Sequence, residues 1–145
     1  MTSSGLSDLV FYEGRVNGQT YIQLIGNTLI RYIKQTFGIN DRFLFMQDNA
    51  PAHTSKYAMN FFKKNKIPVM KWPASSLDLN VIENIWDIID ERLKNMRPKN
   101  LKDLQSMIQQ IWTNIDHDTC KRLVDSMPRR LKSCQLAKGG TMSKY

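Results

Sequence analysis

The chain has 145 residues, 41% hydrophobic and 23% charged, with a formal net charge of +8. That composition describes one ordinary globular domain, long enough to bury about two thirds of its unfolded surface, without internal repeats or low-complexity segments. No apolar run approaches the ~20 residues a bilayer span needs, and Met1-Thr2-Ser3-Ser4-Gly5 lacks the regions of a signal peptide, so an intracellular protein without a membrane partner is expected.

Leu9-Val10-Phe11-Tyr12-Glu13 reads as a strand, followed by the turn signal Val16-Asn17-Gly18. From Thr20 to Phe37, Tyr21, Leu24, Ile25, Leu29, Tyr32, Ile33 and Phe37 recur at helical intervals until Gly38-Ile39-Asn40-Asp41 breaks the pattern. The unalternating run Phe43 to Met46 suits a strand covered on both faces, as in a parallel sheet. A second helix is expected from Ser55 to Lys66, with Tyr57, Ala58, Phe61 and Phe62 inward. Ile67 to Trp72 reads as a short strand held to an edge position by Pro68.

The third helix is expected from about Leu79 to Arg97, where Ile82, Ile85, Trp86, Ile89 and Leu93 form one stripe and Pro98 ends it. Leu101 to Ile115 forms another through Leu104, Ile108, Ile111 and Trp112. Asp118 is the expected cap of a helix through Leu123 and Val124. Pro128 starts a final basic helix that Gly139-Gly140 stops. The fold class expected is α/β, with strand and helix alternating up to residue 97 and helix alone from 98 to 145.

Charge is unevenly spread. Residues 1–90 carry nine Lys/Arg against eight Asp/Glu, and residues 91–145 carry twelve against five, so the last third holds +7 of the +8. Such a face attracts phosphate backbones or is simply solvated. Cys120 and Cys134 lack metal-ligand spacing and read as small core hydrophobes in a reducing compartment.

Two carboxylates stand out. Asp48 ends the apolar run Phe43-Leu44-Phe45-Met46 and begins Gln47-Asp48-Asn49-Ala50-Pro51-Ala52-His53; Glu83 lies in the first turn of the third helix. One at a strand's C-terminal end and one at a helix start can meet at a sheet rim, where carboxylates hold divalent ions for phosphodiester chemistry. Each has a plain alternative. Asn80-Val81-Ile82-Glu83 fits a capping box, with Glu83 bonding back to the Asn80 backbone N–H. Asp48-Asn49 is a common turn opening, and His53 can cap or pack.

The blocks Gln47 to Ser55, Trp72-Pro73, Asp78-Leu79-Asn80 and Ile82-Glu83-Asn84-Ile85-Trp86 together resemble the signatures of Tc/mariner superfamily transposases. The 34 residues between Asp48 and Glu83 match the spacing of its Tc branch. Arg97-Pro98-Lys99-Asn100-Leu101, Ser126-Met127-Pro128-Arg129-Arg130-Leu131 and Ala137-Lys138-Gly139-Gly140 resemble that branch's C-terminal end. The resemblance implies an RNase H-like fold, incomplete over 1–97 and followed by a helical extension over 98–145. It also implies DNA cleavage and joining with Mg²⁺ or Mn²⁺ held by an Asp, Asp, Glu triad, nuclear location, and a homodimer in a full-length form. By position Asp48 resembles the second Asp and Glu83 the Glu, both as catalytic residues and as metal ligands. Asn49 and His53 stand as auxiliaries, and Arg97, Lys99, Arg129, Arg130, Lys132 and Lys138 as DNA contacts. A match to the first Asp is missing: Asp8 directly precedes the segment resembling the family's third strand and is not counted. Leu77 and Val81 stand where the family usually has proline. The chain therefore reads as the C-terminal part of the catalytic domain, inactive alone, or as a non-catalytic remnant that binds DNA or a protein.

Overall fold

The computed structural model describes residues 1–38, 41–73 and 76–137. It contains helices α1 (Gly18–Thr36), α2 (Lys56–Lys64), α3 (Ile82–Leu93), α4 (Leu101–Thr113), α5 (His117–Asp125) and α6 (Met127–Leu136), with a 3-10 turn at Leu77–Leu79. They fall into two compact units, one comprising Val10–Ser75 and the other Met1–Leu9 with Ser76–Tyr145. A cut at residue 97 runs through the interior of the second unit, because α3 packs on α4 there.

In the 10–75 unit, α1 begins where Asn17 accepts the Thr20 backbone N–H at 3.0 Å, so the expected turn signal is a helix cap. α1 packs on α2 through Tyr21, Ile22, Ala58, Phe62 and Ile67, with Phe43, Phe45, Phe61 and Val69 against them. The helices approach closely at glycines. A Cβ on Gly18 would lie 2.6 Å from Ser55 Cβ, and one on Gly26 would press the Phe61 ring at 3.2 Å. Tyr57, expected inward, is exposed, because Ala58 and Phe62 alone carry the buried face of α2. α2 ends two residues early in a left-handed reversal. Lys66 takes φ 54, its N–H donates to Lys63 O, and the Ile67 N–H donates to Phe62 O at 2.9 Å. The last bond places Ile67 over Phe62, the apolar contact that accompanies this termination motif.

The three expected strands do not form ladders among the described residues. Phe43 to Met46 and Ile67 to Trp72 meet at one parallel bridge, Phe45 with Val69, where the Phe45 N–H donates to Pro68 O and the Met70 N–H to Phe45 O, both 2.8 Å. Pro68 contributes only its carbonyl, as a proline must. Leu9 to Glu13 pairs with nothing among the described residues, and Val10, Phe11 and Tyr12 are 44%, 39% and 47% exposed. An apolar run makes a strand only where a neighbour supplies backbone partners, and among the described residues these three segments share one bridge. The expected strand–helix alternation is therefore mostly helix.

The second unit is built on Ile85 and Ile89 of α3 against Ile111 and Trp112 of α4, with Met1, Leu6, Leu9 and Leu123 packed around them. Trp112 Nε1 donates to Ser7 O at 2.9 Å, and the Trp86 ring lies 5.5 Å from Trp112 with its own outer face exposed. α3 is shorter than the 79–97 stripe suggested: its start is displaced by the 3-10 turn, and its end by a turn closed from the Met96 N–H to Leu93 O. α5 is capped by Asp116, which accepts the Thr119 N–H, and not by Asp118, which lies inside the first turn. Cys120 is fully buried, as expected for a core thiol, and burial pushes its pKa up. Pro128 stands in the first turn of α6. Gly139-Gly140 lies outside the described residues, as do Ile39 and Asn40 of the break after α1.

Candidate functional site

Asp48 sits in a loop anchored from below by a buried amide. Gln47 is buried; it accepts from Tyr21 Oη at 2.9 Å and donates through Nε2 to the His53 carbonyl at 3.1 Å. One side chain thereby ties α1 to both ends of the Asp48–His53 loop. Above it, Asp48 Oδ1 accepts the Ala50 N–H at 3.0 Å and lies 2.5 Å from His53 Nδ1. With its proton on Nδ1 the imidazole donates to the carboxylate. The His53 ring also rests on Tyr21, centroids 4.2 Å apart. Asn49 turns away, donating to the Trp72 carbonyl at 2.9 Å, which ties the loop to the segment after α2.

The electrostatics follow from these contacts. The bond from the Ala50 N–H first, then the hydrogen bond and charge of His53, hold the Asp48 carboxyl below its usual range. The group is 56% exposed, so the shift reflects directed bonds and not burial. Tyr21 is pushed far above the ordinary phenol range by desolvation first and by the Asp48 charge second. Asp48 is thus ionised at neutral pH and Tyr21 is a neutral donor. The turn reading of Asp48-Asn49 is correct as local geometry, yet it engages only Oδ1 and leaves Oδ2 for a ligand.

Glu83 is in the first turn of α3. Its Oε1 accepts from the Asn80 side-chain amide at 3.1 Å, while Asn80 Oδ1 takes the Ile82 N–H at 3.4 Å and Asn80 O the Glu83 N–H at 3.1 Å. The expected capping box is altered: the Asn80 side-chain amide, not its backbone N–H, meets Glu83. Val81, the residue at the cap, makes no side-chain cap bond. Asn84 and Asp78 flank this turn, and both are held by Arg130 of α6.

Arg97, Lys99, Arg129 and Lys132 are exposed. Arg130 is not; it is 5% exposed and its guanidinium points into the protein. Lys138 lies outside the described residues. The reading of residue patterns missed Tyr21 and Gln47 as supports of the Asp48 loop, and Arg130 as a support of the Glu83 turn. Tyr21 sits on the apolar stripe of α1, where nothing separates a buried tyrosine with a partner from a core filler.

Among the described residues no three His, Cys, Asp or Glu side chains gather as a metal cluster. Each unit taken by itself offers a hard cation one carboxylate, Asp48 in one and Glu83 in the other, with one oxygen engaged in the protein. A lone carboxylate is at the low end of what Mg²⁺ takes, the rest of its shell being largely water. No described helix is long and apolar enough to cross a membrane.

Residues 1–105 match the family described as DDE superfamily endonuclease. The transposable element Tcb1 transposase of Caenorhabditis briggsae is 32% identical over 126 residues, 87% of this chain and 45% of that protein. The Tc1 transposase of Caenorhabditis elegans is 30% identical over 138 residues, 95% of this chain and 50% of that one. The chain thus spans about half the length of these relatives. Among solved structures, the catalytic domain of Mos1 mariner transposase matches with a TM-score of 0.85 at 21% identity, covering 97% of this chain and 72% of that one. The Mos1 mariner paired end complex with Mn gives 0.83 at 22% identity, covering 97% and 43%. At such identity the likeness speaks for the fold: the chain shares the RNase H-like fold of that catalytic domain, with the ladders reduced as described above.

Proposed function

The chain belongs to the DDE superfamily endonuclease family, and from that premise we propose that it serves as the catalytic-domain part of a Tc/mariner-type DNA transposase, with Asp48 and Glu83 as ligands for Mg²⁺ or Mn²⁺. The observation that carries this reading is the Asp48 loop. A carboxylate kept ionised by a backbone N–H and a histidine, on a loop anchored by a buried glutamine, is a pre-organised ligand with one oxygen to give. His53 orients Asp48 and, through its ring contact with Tyr21, restricts the carboxylate's rotation. Asn49 positions the loop rather than the ion, since its amide is engaged with Trp72. Glu83, at a helix N-terminus, is held by Asn80. When bound, the ion supplies Lewis acidity at a scissile phosphate and activates a water or 3′-hydroxyl nucleophile. Exposed Arg97, Lys99, Arg129 and Lys132 would take the DNA backbone without reading its sequence, and nuclear location and dimer formation in a full-length form belong to this same reading.

The test is Mn²⁺ titration followed by calorimetry. The ion should raise the unfolding temperature, and Asp48→Asn and Glu83→Gln should each abolish that rise; stabilisation scales with ion concentration over Kd. Absence of any rise in the unaltered chain at millimolar ion overturns the metal assignment. A second reading, a non-catalytic remnant that binds DNA or a protein, is favoured by the basic excess beyond residue 90. It requires that DNA affinity survive Asp48→Asn with no metal effect. Nicking of plasmid DNA by the chain alone, with Mn²⁺ and lost on Glu83→Gln, would exclude the second reading. We expect no such nicking, because two carboxylates are fewer than the triad of this family.

A further inference from the structure

A buried arginine is costly unless its donors are satisfied, because the guanidinium cannot shed its charge. Arg130 meets that demand in a particular way. Nε donates to Ser126 Oγ at 2.8 Å, Nη1 to the Asp78 carbonyl at 3.0 Å, and Nη2 to Asn84 Oδ1 at 2.7 Å. The first bond is local to the α5–α6 junction, where Ser126 Oγ also donates to Leu123 O at 2.6 Å. The other two reach back 52 and 46 residues, to the 3-10 turn and to the first turn of α3. Asp78 and Asn84 bracket Glu83. α6 itself packs on the 3-10 turn.

A second observation shows that this turn needs outside support. Val81 caps α3 without any side-chain bond, and Asn80 Oδ1 reaches the Ile82 N–H at 3.4 Å, long for a cap. A helix start so weakly capped frays unless something else holds it. The guanidinium fork does so from both sides, and its planar geometry sets an orientation as well as a distance.

We propose that Arg130 is a positioning residue for Glu83: through it, helix α6 fixes the turn that presents the Glu83 carboxylate. Arg130 leaves the set of DNA contacts on this account, and Arg129 and Lys132 stay in it. The metal-related part rests on Glu83 as a ligand; the structural part does not. Two readouts separate them. Hydrogen exchange in the full chain should accelerate at least tenfold at Leu79 and residues 83–86 in Arg130→Met, with α4 amides unchanged, and by less in Arg130→Lys. Equal acceleration throughout the α3–α4 core, or none at residues 83–86, overturns the proposal. Should Arg130→Met fail to fold, Asn84→Ala removes one acceptor and is expected to give the same local acceleration, while Asn84→Asp keeps an oxygen and restores protection; indistinguishable exchange in these two variants overturns it. Mn²⁺ affinity by titration should then fall at least fivefold in Arg130→Met, measured where circular dichroism shows it folded. An unchanged affinity in a chain whose Glu83→Gln variant loses Mn²⁺ overturns the positioning role. Failure of Glu83→Gln to alter Mn²⁺ binding counts against Glu83 as a ligand, and the exchange pattern still decides whether Arg130 holds the turn.

Discussion

Tyr21→Phe isolates the support beneath the Asp48 loop, since it removes one oxygen and nothing of the ring packed on His53. Tyr21 Oη donates to Gln47 Oε1 at 2.9 Å in a buried setting, and that oxygen loses its donor in the variant. Loss of a buried hydrogen bond costs about 1 kcal/mol net, and orphaning the Gln47 carbonyl brings the expected total to roughly 2–3 kcal/mol. At about 4 °C per kcal/mol for a domain of this length, the unfolding temperature should drop by roughly 8–12 °C. Urea unfolding followed by fluorescence and calorimetry measures both quantities. Replacing both partners, Tyr21→Phe with Gln47→Met, should cost less than the sum of the single changes, because the Gln47 carbonyl that Tyr21→Phe orphans is itself gone and only the His53 carbonyl loses its donor. The sign in alkali follows from the raised phenol pKa. The fold favours neutral Tyr21, so its contribution is complete below the unfolded value of ~10 and is lost as pH rises toward the folded one. The steep fall in stability above that pH should therefore be shallower in Tyr21→Phe. A single-variant loss below about 0.5 kcal/mol, or strict additivity with Gln47→Met, would refute the reasoning.

Asp48 has the opposite sign: its folded pKa is lowered, so its contribution is present above the unfolded value of ~3.9 and is lost as pH falls through the folded one. Urea midpoints from pH 6 down to pH 2 should decline less steeply in Asp48→Asn than in the unaltered chain. Gly18→Ala should destabilise by about 1–3 kcal/mol despite a better helix propensity, since the new methyl falls on Ser55, whose Oγ caps α2; thermal melts decide it. Lys66→Gly should stabilise by about 0.5–1 kcal/mol, because an exposed lysine occupies a left-handed position that glycine takes without steric cost. DNA affinity measured by filter binding should fall by ~0.9 log unit per log unit of salt for each phosphate contact, and Lys132→Ala should reduce that slope by about one contact.

What the residues alone determined is the helical framework and the chemistry of the blocks. The stripe through Ile85, Ile89, Ile111 and Trp112 is the buried core of its unit, and Asp48 and His53, five residues apart, do meet. These are local matters, governed by side-chain period and by turns that close within a few residues. The strands were legible only as composition. Whether Phe45 or Val10 joins a ladder depends on partners far along the chain, and one bridge against none was the outcome. Arg130 shows the same limit in charge. In the sequence it is one basic residue in Arg129-Arg130-Leu131-Lys132, indistinguishable from neighbours that face solvent. Helix α6 turns successive residues by about 100°, so one arginine faces outward and the next inward. Only the packing of α6 on the turn before α3 decided that the inward one would find Asp78 and Asn84 waiting, because desolvating a guanidinium is tolerable only where acceptors already stand.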